Sequence, residues 1–251
     1  MSSPDAPLLT PVAAPAFAAA KFSKKTVSEK LSQVPVFAVT NASGQPYLAN
    51  MDGSGSQIGL IFFSHHDALN MLKDMKKNPG ASDARVYIMG LDKAYEMVKA
   101  KPQPSGIRGA AGEELTMVFR FFPDSKQVKA AEGLQRKLRR RRGVEGIPVF
   151  VAKGLTLRKG SENVVPLFLT KEDLDSAWSK LRDSNKDLPN NASVVVGNLL
   201  YIIQQMESDG EPELRNLGFF APKASVEYVT KEQAGPTGQA RMHQNPVTPQ
   251  K

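Results

Sequence analysis

The chain has 251 residues, no cysteine and a formal net charge of +8. The lack of cysteine excludes disulfides, thiol nucleophiles and thiolate metal sites. The longest apolar run, Ile58 to Phe63, is strand-sized and far shorter than the roughly 20 residues that cross a bilayer.

The two ends differ in composition from the middle. Residues 1–26 are rich in Pro, Ala and Ser, and residues 227–251 are polar and lack apolar periodicity. Neither end can bury enough apolar surface to offset the entropy of ordering it. We therefore expect a disordered leader over 1–26, a folded domain over 27–226 and a disordered tail over 227–251. The leader resembles the remnant of an organelle transit peptide, because Asp5 is its only acid, but it also fits a plain disordered segment.

An internal repeat organises the folded part. Three segments recur in the same order: VPVF at 34–37 and IPVF at 147–150, IFFSHHD at 61–67 and LFLTKED at 167–173, ARVYI at 84–88 and ASVVV at 192–196. The matches predict two copies of one unit, over about 34–98 and 147–206.

Each unit predicts the same elements in chain order. A strand begins at Pro35 or Pro148, and a second, continuously apolar strand covers 58–63 or 164–169. Ser64 and Thr170 are candidate N-caps of an amphipathic helix. A third strand and a short helix follow, at 84–89 and 91–98 in the first unit and at 193–197 and 199–206 in the second.

The connector, 102–145, separates the two units. Its first part, 102–112, reads as a Pro- and Gly-rich loop, and 115–122 reads as a strand. A helix then begins at Pro123-Asp124 and ends at Gly143. The prediction is one α+β domain with a pseudo-twofold duplicated β-β-α-β-α unit, a mixed central sheet and helices on its faces.

No motif predicts catalysis, and we expect a protein that is not an enzyme and has no cofactor. His65 and His66 are adjacent, so on a helix their side chains point about 100° apart and do not form the i, i+4 pair of a zinc helix. The Gly-rich segments lack the Walker ending, and no G-x-S-x-G elbow is present.

The first helix of each unit carries the candidate binding residues. Its apolar stripe either fills the core or lines a groove for extended peptide. The candidate groove residues are Leu69, Leu72, Met75, Leu174, Trp178 and Leu181.

A basic block closes the connector helix. Cationic residues in a last turn stabilise a helix end, and they also suit an anionic membrane surface or, less well, nucleic acid, since no aromatic is interleaved. The block comprises Arg136, Lys137, Arg139, Arg140, Arg141 and Arg142.

Four segments together resemble the Tic22-like family over roughly 30–222. They are VPVFAVTN at 34–41, IGLIFF at 58–63 with Asp67-Ala68, FRFFPDS at 119–125 followed by QVK at 127–129, and GIPVF at 146–150.

The resemblance implies a function that the residues alone do not. Plastid members look like soluble chaperones of the envelope intermembrane space that associate with the inner-membrane translocon, and their pseudo-twofold fold has apolar pockets on opposite faces. We therefore expect a chaperone-like component of chloroplast preprotein import, in the intermembrane space, peripheral to the inner envelope or, alternatively, in the stroma. Its expected partners are preproteins and translocon subunits. The alternative is a plastid scaffold that uses the block at 136–142 on an anionic membrane or nucleic acid.

Overall fold

The structure is a computed structural model that describes residues 24–50, 56–109, 112–137, 144–159, 162–208, 214 and 216–234. Seven α-helices and eleven strands lie in these ranges. The helices are α1 (Lys24–Leu31), α2 (His65–Met75), α3 (Leu91–Lys99), α4 (Ser125–Lys137), α5 (Lys171–Ser184), α6 (Leu199–Glu207) and α7 (Lys223–Ala234). The strands are β1 (Pro35–Thr40), β2 (Leu48–Ala49), β3 (Ser56–Phe62), β4 (Arg85–Gly90), β5 (Gln103–Arg108), β6 (Glu114–Phe122), β7 (Pro148–Ala152), β8 (Leu157–Lys159), β9 (Glu162–Phe168), β10 (Val194–Asn198) and β11 (Leu217–Phe220).

Sheet 1 is mixed and has the order β4-β1-β3-β6-β5, with β2 paired to β3. Strand β1 runs antiparallel to β3 and β4, whereas β3 and β6 are parallel. Gly59 on β3 makes room for the Phe119 ring of β6, since a Cβ at Gly59 would lie 2.6 Å from that ring. The central strands of this sheet are therefore fitted to each other by a glycine and an aromatic residue.

Sheet 2 repeats this arrangement in the order β10-β7-β9-β11, with β8 paired to β9. Strand β7 is antiparallel to β10 and β9, and β9 is parallel to β11. Phe37 pairs with Phe62 in sheet 1, and Phe150 pairs with Phe168 in sheet 2. The four strands of sheet 2 thus have the order and directions of β4, β1, β3 and β6.

The predicted α+β class with mixed sheets is confirmed, but the strands form two sheets instead of one central sheet. Apolar residues from both sheets meet in one central core, which includes Val36, Ile61, Val149 and Leu167, each fully buried. Two sheets arise because each unit is followed in the chain by its own parallel strand, β6 or β11, which completes its sheet. Duplication of one ancestral unit stays a prediction, which superposition of 34–98 on 147–206 tests.

The outer face of each sheet is covered by one helix of its own unit and one helix that follows the other sheet. Helix α4 follows β6 of sheet 1 but packs with α5 on sheet 2, where Ala131 is fully buried. Helix α7 follows β11 of sheet 2 but packs on sheet 1, where Tyr228 and Val229 contact the cluster around Phe37 and Phe62. Each sheet is thus covered in part by the helix that follows the other sheet, an arrangement that we call the helix exchange.

Three local differences from the sequence expectations have physical explanations. Residues 103–108, expected to be loop, form β5, an edge strand that is mostly exposed and therefore lacks an apolar signal. Residues 227–234, expected to be tail, belong to α7, which is polar except for a few packed residues such as Tyr228. Helix α1 begins at Lys24, before the expected start at 27, and buries Val27 and Leu31 in the central core.

Helix length bears on membrane insertion. Among the residues that the structure describes, no helix has the length and apolar character needed to cross a bilayer.

Candidate functional site

The outer face of sheet 1 presents a broad set of half-buried apolar side chains. Phe37 and Phe62, both buried, form its floor. Around them lie half-buried residues from four elements, which we call the α2 surface: Leu60 of β3, Phe122 of β6, Leu69, Met71 and Leu72 of α2, and Tyr228 and Val229 of α7. Met75, one turn beyond Leu72, is also half-buried and packs beside Val39, Ala81 and Ala84. The three predicted residues on this side, Leu69, Leu72 and Met75, thus share one partly open apolar surface.

The predicted residues of the other side do not line an open surface. Leu174 is 0% exposed and Trp178 is 5% exposed. The Trp178 indole N–H donates to the carbonyl oxygen of Pro189 at 3.0 Å. The groove assignment for Leu174 and Trp178 is therefore corrected to the core of sheet 2, because α4 and α5 together cover that face.

Leu181, the third predicted residue on α5, is half-buried. It packs against the cluster of Phe150, Phe168 and Trp178, together with Leu157 and Leu188. Of the three predicted residues on α5, Leu181 is therefore the one that stays partly open to solvent.

Hydrogen bonds and an ion pair fix α4 against the first turn of α5. Gln127 is 2% exposed, and its Oε1 accepts a hydrogen bond from the Lys171 backbone N–H at 2.9 Å. Its Nε2 donates to Glu172 Oε2 at 2.8 Å, and Lys126 forms an ion pair with Glu172 at 2.7 Å. Burial opposes the ionisation of Glu172, but the hydrogen bonds from Lys126 and Gln127 outweigh it and lower the pKa of Glu172. These contacts hold α4, which follows sheet 1 in the chain, on sheet 2.

The histidine pair has a structural environment at the first turn of α2. His65 is 7% exposed, whereas the adjacent His66 is exposed. The His65 ring stacks on Tyr228 of α7 with centroids 4.8 Å apart, and Phe37 meets it edge-on at 6.0 Å. Burial, with the nearby charge of His66, lowers the pKa of His65, while Asp124 acts in the opposite direction. His65 therefore joins α2 to α7.

Two other features of the described residues bear on chemistry. Within these ranges, no group of three or more His, Asp or Glu residues is placed to hold a metal ion. A cleft of about 130 Å³ lies between α1, α3 and α6. There the Tyr95 hydroxyl donates to Glu207 at 3.0 Å and Lys99 pairs with Glu207 at 3.1 Å. Burial and Glu207 raise the pKa of Tyr95, so this hydroxyl stays protonated. Tyr95, Lys99 and Glu207, the polar residues of this cleft, therefore bind one another and stabilise the contact between α3 and α6.

The basic block falls partly within the structure. Arg136 and Lys137 form the exposed last turn of α4. Arg139, Arg140, Arg141 and Arg142 lie outside the described residues.

Sequence reasoning missed the members of the α2 surface that come from distant elements. Leu60 and Phe122 read as strand core, and Tyr228 fell in the expected tail. The repeat held a usable signal for α7, since Phe121-Phe122 before α4 recurs as Phe219-Phe220 before α7.

Comparison with known proteins decides the family. The family model described as the Tic22-like family matches residues 2–232. The chain belongs to the Tic22-like family. The resemblance found in the sequence is thereby confirmed.

Individual relatives of the Tic22-like family come from plants. The chain is 29% identical over 211 residues to Protein TIC 22, chloroplastic, of Pisum sativum, an alignment that covers 83% of this chain and 77% of that protein. It is 31% identical over 163 residues to Protein TIC 22-like, chloroplastic, of Arabidopsis thaliana, which covers 62% of this chain and 46% of that protein. It is 28% identical to Protein TIC 22, chloroplastic, of Arabidopsis thaliana, covering 63% of it. The matched region thus ranges from about half to three quarters of these chloroplastic proteins.

Solved Tic22 structures share the fold. Tic22 from Plasmodium falciparum aligns with a TM-score of 0.64 at 24% identity and covers 82% of this chain and 96% of that chain. Anabaena Tic22, a protein of protein transport, aligns with a TM-score of 0.65 at 19% identity over 85% of this chain and 99% of that chain. At such identities the likeness concerns the fold.

Proposed function

We propose that this protein is a chaperone-like component of chloroplast preprotein import that holds preprotein segments on an apolar surface. Membership of the Tic22-like family, whose plant relatives are chloroplastic, is the observation that carries the proposal. Its partners are preproteins and subunits of the envelope translocons. It works by reversible binding and not as an enzyme, in the intermembrane space or at the inner envelope.

The α2 surface is the binding site in this proposal. Its side chains are apolar and half-buried, so that part of each is already fixed by the core while the rest faces solvent. Adding an extended peptide removes this remaining apolar area from water, at roughly 25 cal/mol per Å². Met71 and Met75 suit clients of varied sequence, because methionine is unbranched and adapts its shape.

Sheet 2 supplies a smaller second site beside Leu181. Its lining includes the half-buried Leu157 and Leu188, whereas Leu174 and Trp178 at the centre are buried beneath α4 and α5. We therefore assign most of the client affinity to sheet 1.

A binding measurement tests the proposal. Fluorescence anisotropy with a labelled transit peptide follows affinity for the wild type and for the Leu69→Gln/Met75→Gln double variant, at low and high salt. We expect about tenfold weaker binding by the variant, equal to a loss of about 1.4 kcal/mol. Apolar capture persists at high salt, whereas binding to phosphate groups weakens steeply.

Ile107→Gln is the matched control, because Ile107 is an exposed apolar residue on β5, outside the α2 surface. Its affinity should equal that of the wild type. If the wild type neither binds the peptide nor suppresses the aggregation of a model substrate at any salt concentration, the proposal is wrong.

A second function has the exposed end of α4 in its favour. Arg136 and Lys137 extend into solvent at a helix C-terminus, where cations also offset the helix dipole. In this alternative the protein is a scaffold on an anionic membrane surface.

A further inference from the structure

Strand β10 leaves one edge of sheet 2 free in the part of the chain that the structure describes. Its other edge pairs antiparallel with β7, with Val195 opposite Val151. The Ser193 carbonyl oxygen accepts from the Lys153 N–H, and the Leu199 N–H donates to the Ile147 carbonyl oxygen, both at 2.9 Å. Since hydrogen-bonded pairs alternate along an antiparallel ladder, Val195 bonds toward β7. The N–H and C=O groups of Val194 and Val196 therefore point away from the sheet.

This edge lacks the usual protection against strand pairing. Proteins guard exposed edges with charges, Pro or bulges. Every residue from Leu188 to Met206 is uncharged, and β10 pairs with β7 in unbroken register. The corresponding edge of sheet 1 differs, because β4 begins at Arg85 and the helix after it carries Asp92 and Lys93.

Exposed apolar side chains accompany the free edge. Val195 is 42% exposed, and Tyr201 of α6 is 60% exposed. Only four large hydrophobic residues in the described ranges are exposed to this degree, and these are two of them. The repeat aligns Tyr201 with Lys93, so at this position the second unit carries an uncharged ring where the first carries a charge.

We infer that the β10 edge is a self-association site that takes the β10 strand of a second copy of this chain. A twofold interface pairs the same surface patch of two copies, so any net charge on the patch would meet a like charge and repel it. For a chain of net charge +8, an uncharged edge meets its copy without the repulsion that a basic surface creates. The occupant is therefore a second copy, and the two sheets join into one.

The backbone of β10 fixes the register of this pairing. A twofold axis through Val195 sets Val194 of one copy opposite Val196 of the other, and each such pair exchanges both N–H···O bonds. The two Val195 residues then form a non-hydrogen-bonded pair, whose Cα atoms lie about 4.5 Å apart. Their exposed side chains meet on the same face of the joined sheet.

A cysteine substitution tests this register, because the chain has no cysteine of its own. A Cα separation of about 4.5 Å permits a disulfide. Val195→Cys, oxidised with glutathione disulfide, should give a covalent dimer on non-reducing gels. Ile107→Cys, at an equally exposed site (43%) on β5, is the control and should stay monomeric.

Sedimentation velocity over a range of concentrations tests association of the unmodified chain. We expect a reversible dimer that Val195→Lys weakens at least about tenfold, whereas Ile107→Lys leaves it unchanged. A monomer at every concentration, or a dimer indifferent to Val195→Lys, overturns the inference. So does a Val195→Cys variant that cross-links to a cysteine-containing extended peptide but not to itself, since the occupant is then a client.

Discussion

Trp178 shows how one buried side chain limits the choice of binding surface. Its ring packs with Phe150 and Phe168, and its N–H has a carbonyl partner, so nothing polar on it needs solvent. Apolar periodicity identified the apolar stripes of α2 and α5, which contain Leu72 and Trp178. Periodicity does not report which second helix covers each stripe. On sheet 2 the short side chains of Ala130 and Ala131 let α4 approach closely and close the core.

The first prediction concerns Trp178→Ala. Removing this ring leaves a cavity in the core of sheet 2, and the free energy of unfolding should fall by about 3–5 kcal/mol. Denaturant titration followed by circular dichroism measures the change. Leu181→Ala, on the same helix but half-buried, is the control and should cost less. A loss below about 1 kcal/mol for Trp178→Ala would place the ring outside the core.

The second prediction concerns the pH dependence set by His65. Because its pKa is lowered in the fold from the usual 6.5, the folded state favours the neutral ring. Its contribution to stability is complete above about pH 6.5 and is lost as the pH falls toward the lowered pKa, since the unfolded chain takes up the proton first. The free energy of unfolding should therefore decrease on acidification from neutral pH.

His65→Phe is the matched variant for this test, because phenylalanine keeps a ring beside Tyr228 and Phe37 but cannot be protonated. Urea titrations at a series of pH values should give a flatter profile for the variant. Asp67, whose pKa is raised by burial and by Asp124, is present in both proteins. Identical profiles for wild type and variant would contradict the role assigned to His65.

At the level of elements, the contact between α4 and α5 depends on one amide side chain. The third prediction is that Gln127→Ala destabilises the fold by about 1–3 kcal/mol, because it leaves the Lys171 N–H without its partner in a buried place. Thermal and urea unfolding measure this loss. Lys126→Ala removes only the exposed ion pair with Glu172, and such pairs contribute about 0–1 kcal/mol. Equal losses from the two variants would show that Gln127 is not the anchor.

The sequence predicted the elements that carry an apolar signal and missed those that do not. The continuous run 58–63 and the stretch 115–122 correspond to β3 and β6, since both strands lie in the middle of a sheet, with a neighbour on each side. Ser64 caps α2 as predicted, accepting from the Asp67 N–H at 3.4 Å. Strand β5 and helix α7 were missed because their partners lie elsewhere: β5 is held by backbone pairing to β6, and α7 by a few contacts such as Tyr228. Leu174 is buried and Leu69 is half-buried because different helices cover the two sheets. No local sequence pattern encodes this helix exchange.

At the scale of the whole molecule, charge separates the two proposed functions. The fourth prediction is that replacing Arg136 and Lys137, both exposed, with Gln leaves the melting temperature nearly unchanged, since exposed charges change stability by about 0.5 kcal/mol. Sedimentation with anionic vesicles should show weaker association than the wild type, and added salt should reduce the difference. Transit-peptide binding should not change. A lost peptide affinity with intact folding would contradict capture of the peptide by the α2 surface alone.

The exchanged helices have a consequence for how the protein is made. A ribosome delivers the chain from its N-terminus, so Phe37 emerges long before Tyr228, the residue whose ring meets it edge-on at 5.8 Å. The outer face of sheet 1 is therefore covered only after α7, the last described helix, has been synthesised. Helix α4, which covers sheet 2, is synthesised before the strands of that sheet. A chain truncated after Phe220 should bind a hydrophobic dye more strongly than one that extends to Ala234. The order of synthesis thus makes the same face that we assign to clients the last to be covered in the protein itself.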